Sequence, residues 1–228
     1  MKRFAGIGVL LSALWVCAGT GELIAATAPA RYAVHTITGA DNLPLVVLRD
    51  DADQIEATIA PTQGGELASL RIEFKGRWVE LLYRGGNYAP APGFRGKASI
   101  LWPAVGSSIP AGTKPAQGRV ESSYDYEGRR YPMPPHGFAR NKSWRMMRSW
   151  ANQTEAAVEV LLTDDAATRA QYPFGFEFHV TYRLSEGRLE LQHVIKADKT
   201  NAAPMFFSIG NHISFNVPLV AGSPAEAI

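Results

Sequence analysis

Two short segments of this 228-residue chain each place a histidine beside glycine or asparagine and aromatic residues. The first segment, PHGFARNKSW at residues 135–144, contains His136, and the second, IGNHISFN at residues 209–216, contains His212. Imidazole gains and loses a proton near neutral pH, so each segment could supply a proton donor or acceptor at the rim of a polar pocket. The sequence therefore predicts acid–base chemistry, with His136 and His212 as the candidate catalytic residues.

The neighbours of these two histidines distinguish them from the others in the chain. Gly137 permits an unusual backbone angle directly after His136, and Gly210 and Asn211 precede His212. The remaining histidines lie in strand-like contexts without such neighbours, and we interpret them as structural: His35, His179 and His193.

The elements expected to position both histidines are β-strands, because the chain shows no long helical period. Residues 174–184 alternate apolar with polar side chains, which is the pattern of a strand with one buried face. A turn at 185–187 and a second alternating stretch at 188–196 predict a hairpin. The region 85–135 is rich in glycine and proline, so we expect long connections there that carry short strands, such as one at residues 100–102, and form the rim of the pocket.

Six segments add a more specific pattern: TQGGELASLRI from Thr62, ELLYR from Glu80, FRGKASILWPAVG from Phe94, HGFAR with Trp144 behind it, YPFGFEFHVTYRL from Tyr172, and PMFFSIGNHISFNVPL from Pro204. Their order resembles the aldose 1-epimerase family, also called the galactose mutarotases. HGFAR followed by tryptophan, and GNHISFN farther along, are the most specific parts of the resemblance. It implies an all-β fold, a large antiparallel distorted sandwich of the galactose mutarotase-like type.

The resemblance also implies a reaction, the interconversion of the α and β anomers of an aldose. His212 matches the family's general acid, and His136 matches a histidine that hydrogen-bonds and polarises the sugar. Arg95, Phe138 and Asn211 are the implied substrate-binding residues, and the arginine resembles one that contacts substrate in the branch acting on hexose 6-phosphates. The reaction implies no metal, nucleotide or redox cofactor.

Two departures from the family pattern concern the sugar contacts and the general base. Ser107 and Ser108 occupy a stretch that often supplies a substrate-contacting arginine. The family's base is a glutamate in a later strand, whereas Glu226 is the only acidic residue after His212 here. We therefore expect residues 31–228 to form a sandwich domain that lacks its last strands. A fragment of a longer mutarotase, a non-catalytic carbohydrate-binding domain and a domain completed by another chain all stay open. A hexose-6-phosphate 1-epimerase is a further alternative.

The N-terminal 30 residues have the layout of a secretory signal peptide. Lys2 and Arg3 precede an apolar stretch at residues 4–18, and Ala28 and Ala30 form a small-residue exit. We expect cleavage near Arg31 and an exported protein, periplasmic or secreted, without stable membrane insertion. An uncleaved anchor and lipid attachment at Cys17 are the alternatives. Removal of the single cysteine of the chain would exclude thiol chemistry.

Composition and charge narrow the class of partner. The chain is 46% hydrophobic and 19% charged, which is enough apolar material for one globular domain. The formal net charge is +2, and basic residues are interspersed with acidic ones. A nucleic-acid surface needs a denser basic stripe. We therefore expect a small near-neutral sugar as the partner and no nucleic acid.

Overall fold

Antiparallel strands make up nearly all of the regular structure of this protein. The computed structural model describes residues 30–85, 96–113, 122–219 and 222. A short helix, α1 (Ala166–Gln171), and two 3-10 turns, Ala40–Asn42 and Ala139–Asn141, interrupt the strands. The strands are β1 (Tyr32–Thr38), β2 (Pro44–Asp50), β3 (Ile55–Ala60), β4 (Glu66–Phe74), β5 (Arg77–Glu80), β6 (Ala98–Leu101), β7 (Ser123–Tyr126), β8 (Arg129–Pro132), β9 (Arg145–Ala151), β10 (Ala156–Thr163), β11 (Phe176–Ser185), β12 (Arg188–Ala197) and β13 (Gly210–Ile213).

The described strands form three antiparallel sheets. The largest has the order β1-β2-β3-β4-β6-β13, with β5 paired to β4. The second has the order β12-β11-β10-β9, and β7 pairs with β8 in a separate hairpin. This architecture confirms the all-β antiparallel class predicted from the sequence. The predicted hairpin is present as β11 and β12, joined at Glu186 and Gly187, which both have positive φ.

The core lies between the two larger sheets. In β11 every second side chain is buried and contributes to it, as the period-two pattern predicts. Trp102, directly after β6, has ring contacts with Phe138, Phe176 and Phe178 at centroid distances of 5.6, 4.4 and 5.4 Å. Because Trp102 directly follows β6, this packing fixes the end of the strand that pairs with β13.

The glycine- and proline-rich region contains the predicted short strand near residues 100–102, and a hairpin that the sequence did not predict. It holds β6 and the β7–β8 hairpin, in which Tyr124 and Tyr131 stack at 5.5 Å. Residues 86–95 and 114–121 of this region lie outside the described residues, as do residues 1–29 with the predicted signal peptide. Among the described residues, no helix is long and apolar enough to cross a membrane.

β13 forms an edge of the larger sheet. It pairs with β6, and no described strand follows it in the strand order. Several large apolar side chains near it are exposed, and we call them the 206–217 apolar residues: Phe206, Phe207, Ile209, Ile213, Phe215 and Val217. The prediction that the domain lacks its last strands stays a prediction.

Candidate functional site

His136 is held by a strained turn between β8 and the following 3-10 turn. His136 and Gly137 have φ of +68° and +71°, the left-handed region that costs a non-glycine residue free energy. A Cβ on Gly137 would lie 2.2 Å from the carbonyl oxygen of Trp102. Glycine is therefore required directly after the histidine, as its position in the HGFAR segment suggests.

Two hydrogen bonds to Gly106 orient the His136 ring and backbone. The backbone N–H of His136 donates to the Gly106 carbonyl at 2.8 Å, and the Gly106 N–H donates to Nδ1 of the ring at 3.0 Å. Because Nδ1 accepts a hydrogen bond, the neutral ring carries its proton on Nε2. Nε2–H is therefore the group that His136 can offer to a ligand.

His136 is also electrostatically biased towards its neutral form. Partial burial lowers the pKa of its imidazole, and the positive charge of Arg140 and the neighbouring His212 lower it further. The neutral state agrees with the hydrogen bond that Nδ1 accepts, because a doubly protonated ring has no acceptor. Around neutral pH the ring can therefore donate a hydrogen bond without carrying charge.

β13 brings His212 to the His136 ring. The two ring centroids lie 5.6 Å apart with an interplanar angle of 84°, and both residues are half-buried. Within the sheet, His212 is paired with Ser99 of β6. The structure thus places together the two histidines that the sequence singled out.

The three predicted substrate-binding residues have different placements. Phe138 is buried in the aromatic core against Trp102, so its ring has little surface to offer a ligand. Asn211 is exposed and points to the face of β13 opposite that of His212, because neighbouring side chains in a strand alternate. Arg95 lies outside the described residues.

The histidines interpreted as structural lie in strands. His35 is exposed in β1, His193 is half-buried in β12, and His179 of β11 bonds Glu159 and Glu177 at 2.9 and 3.2 Å. Among the described residues, no group of three or more histidine, aspartate or glutamate side chains could hold a metal ion.

Sequence reasoning missed three polar residues near the strand of His212: Glu66 in β4, Ser99 in β6 and Lys97 directly before β6. Ser99 donates its hydroxyl hydrogen to Oε2 of Glu66 at 3.0 Å, and Nζ of Lys97 lies 3.9 Å from Oε1 of the same carboxylate. Burial raises the pKa of Glu66 to about 7, against the opposing effects of Lys97 and Ser99. The only local signal was a glutamate followed by the apolar Leu67 and Ala68 at the start of β4. Its proximity to Ser99 depends on strand pairing that the sequence does not reveal.

A family model and a curated protein point to the same family. The family model described as aldose 1-epimerase matches residues 44–226. A curated Escherichia coli protein, whose provisional name is glucose-6-phosphate 1-epimerase, is 24% identical over 174 residues, which are 75% of this chain and 50% of that protein.

Solved structures agree on the fold. A galactose mutarotase-like protein from Clostridium acetobutylicum has a TM-score of 0.66 and 20% identity, over 85% of this chain and 57% of its own. A galactose mutarotase related enzyme from Lactobacillus acidophilus has a TM-score of 0.56 and 27% identity, over 84% of this chain and 51% of its own. The chain thus spans about half the length of these relatives. The match to the family model includes both His136 and His212.

Proposed function

Because this chain belongs to the aldose 1-epimerase family, we propose that it binds a hexose at His136 and His212 and interconverts its α and β anomers. The observation that carries the proposal is the approach of the two imidazole rings to 5.6 Å. Their segments are distant in the sequence, and the fold brings them to one place. A pair of half-buried imidazoles is suited to proton transfer at neutral pH.

Anomer exchange requires two proton transfers. A base removes the proton from the anomeric hydroxyl while the bond between the anomeric carbon and the ring oxygen breaks. An acid delivers a proton to that ring oxygen, and closure after rotation about the adjacent carbon–carbon bond reverses both transfers. We assign the acid to His212, and we assign to Nε2–H of neutral His136 a hydrogen bond that polarises the sugar.

Sugar binding without catalysis is the second candidate. It is favoured by the length of the match, because the chain spans about half of each relative reported above. The family resemblance implies a glutamate base in a strand later than the one that carries His212. In this case the histidine pair would hold a sugar whose anomers exchange at the spontaneous rate.

The chemical class of the sugar is a further part of the proposal. The provisional name of the Escherichia coli relative points to a hexose 6-phosphate, and Arg95 is the residue expected to contact substrate in that branch. The proposed export of this chain favours a free hexose, because phosphorylated sugars are mostly cytoplasmic metabolites. We propose a free aldohexose as the first substrate to test.

Polarimetry of freshly dissolved α-glucose, α-galactose and α-glucose 6-phosphate tests the function. We expect the purified chain to accelerate the approach to equilibrium, and His212→Ala to lower that rate by about 100-fold or more, since general acid–base groups contribute 10²–10⁴-fold. His35→Ala is the matched control, because His35 is exposed in β1 and should leave the rate unchanged.

Calorimetric titration with the same sugars separates the candidates. Binding without acceleration supports the non-catalytic domain. A folded chain that neither binds nor accelerates any of the three sugars contradicts both candidates.

A further inference from the structure

A row of polar residues crosses the large sheet next to the histidine pair. Glu66 begins β4, Ser99 lies in the adjacent strand β6, and His212 lies in β13 beyond it. Ser99 is the direct partner of His212 in the β6–β13 pairing, and its hydroxyl is bonded to Glu66. Directly opposite residues in an antiparallel pair point to the same face, with Cβ atoms about 4.5–5.5 Å apart. Ser99 is therefore the one residue that separates the Glu66 carboxyl group from the His212 imidazole across the sheet.

The carboxyl group of Glu66 is buried with little compensation for its charge. Glu66 is 8% exposed, and its described polar contacts are the Ser99 hydroxyl at 3.0 Å and Nζ of Lys97 at 3.9 Å. The latter separation is longer than a hydrogen bond. Burial raises the pKa of Tyr182 in β11, and the nearby charge of Glu66 raises it further, but the Tyr182 hydroxyl donates to the Gly65 carbonyl at 2.7 Å. A buried carboxylate with one hydrogen bond and one distant cation gains from protonation.

We propose that Glu66 is a positioning residue of the histidine site, which sets the orientation of the Ser99 hydroxyl opposite His212. As a carboxylate, Glu66 accepts the hydrogen of this hydroxyl, and Ser99 Oγ then presents lone pairs to the site. As a carboxylic acid, Glu66 can donate to Oγ, which frees the hydroxyl hydrogen to point elsewhere. The proton comes from solvent and no other bond changes. Protonation of Glu66 thus reverses the polarity of the group beside His212.

This inference deepens the proposed function, because it names a group that controls the surroundings of the proposed acid. Glu66 changes charge near pH 7, where the proposed chemistry would take place. The titratable and polar groups near Glu66 or near His212 are Lys97, Tyr182, Ser99, His212 and His136. Tyr182 stays neutral in that range, because its pKa is raised above its ordinary value.

NMR titration of the full chain, labelled with ¹³C in glutamate and histidine, tests the proposal without any sugar. In the wild-type protein we expect the Glu66 carboxyl signal to titrate with a midpoint near pH 7. We expect the His212 ring signals to show an inflection at the same midpoint. In Glu66→Gln that shared inflection should be lost, and in Ser99→Ala it should shrink by at least half.

Glu56→Gln is the matched control, because Glu56 is also 8% exposed and is paired with Arg71 in the same sheet. The shared inflection should persist in it. If Glu66→Gln does not fold, the wild-type titration still decides. A Glu66 carboxyl that titrates below about pH 5.5, or His212 signals without the shared midpoint, would overturn the proposal. A failure of sugar binding alone would leave these signals unaffected and would count only against the proposed function.

Discussion

At the scale of single residues, the burial of Glu66 makes a testable contribution to stability. Its pKa in the folded chain, about 7, exceeds the ordinary value of 4.5. Between these two pH values the folded state holds a proton that the unfolded state has released, so stability falls as pH rises. The contribution is fully present below about pH 4.5 and is lost above about pH 7.

We therefore expect wild-type protein to lose stability relative to Glu66→Gln as the pH rises from 4.5 to 8. The difference in the free energy of unfolding should change by up to about 3 kcal/mol, in favour of the variant. Urea unfolding of both proteins at four pH values measures it. A difference that stays constant with pH would show that Glu66 is not protonated in the folded state.

The sequence predicted some residues of the site better than others. His136 and His212 could be identified because their distinctive neighbours are adjacent in the chain. Phe138 lies in the same local motif, but its burial depends on how Trp102 packs against it. The side of β13 that Asn211 occupies follows from strand alternation once His212 is placed. The contact between Glu66 and Ser99 depends on pairing between two strands and has no local signal.

At the scale of elements, the turn through His136 depends on the absence of a side chain at Gly137. Gly137→Ala would place a Cβ 2.2 Å from the Trp102 carbonyl oxygen, in a residue with φ of +71°. We expect a loss of about 2–4 kcal/mol in the free energy of unfolding, since left-handed strain alone costs about 1–2 kcal/mol.

Gly128→Ala is the control for this strain. Gly128 lies in the β7–β8 turn with φ of +72°, and nothing lies within 4 Å of the added Cβ. It should cost about 1–2 kcal/mol from strain alone. Chemical denaturation of both variants measures the two costs. Equal losses would mean that the close approach to Trp102 does not constrain this turn.

The elements themselves were predictable where a pattern was long. The alternation over residues 174–184 predicted β11, and the turn after it predicted β12. The helix α1 was not predicted, because it has only six residues and is specified by a capping box between Asp165 and Thr168. The β7–β8 hairpin was also missed, because its strands of four residues are too short to show an alternation.

At the scale of the whole molecule, the exposed apolar surface near β13 has a consequence in solution. Among the 206–217 apolar residues, Phe215 and Val217 are each 55% exposed. Apolar surface that stays in contact with water favours association with other apolar surfaces.

We expect the purified chain to self-associate as its concentration rises. The double variant Phe215→Ser and Val217→Thr should raise the concentration needed for association by about 10-fold or more. Association would bury part of these two apolar side chains, which contributes at least about 1.4 kcal/mol to its free energy. Sedimentation velocity over a range of concentrations measures this. Phe74→Ser is the control, because Phe74 is 44% exposed at the end of β4. If the double variant and Phe74→Ser change the association concentration equally, the 206–217 apolar residues have no special role in association.

The fold class of the whole molecule could be predicted because two levels of the sequence agree. Period-two alternation predicts strands, and the order of six local motifs resembles one family. The way in which strands distant in the sequence join could not be predicted, since β4, β6 and β13 pair across long stretches of chain with no local signal. Those long-range pairs are also what assemble the candidate site.

The position of His212 on a short strand at the end of the described strand order favours late assembly of the histidine pair. β13 pairs with β6, which lies more than one hundred positions earlier, so closing this contact carries the entropic cost of closing a long loop. Short edge strands also detach by local opening at a lower cost than the unfolding of the core. A folding chain would therefore complete its core first and its histidine pair last. The same asymmetry means that the folded protein could release β13, and with it the proposed acid, while the aromatic core around Trp102 stays folded.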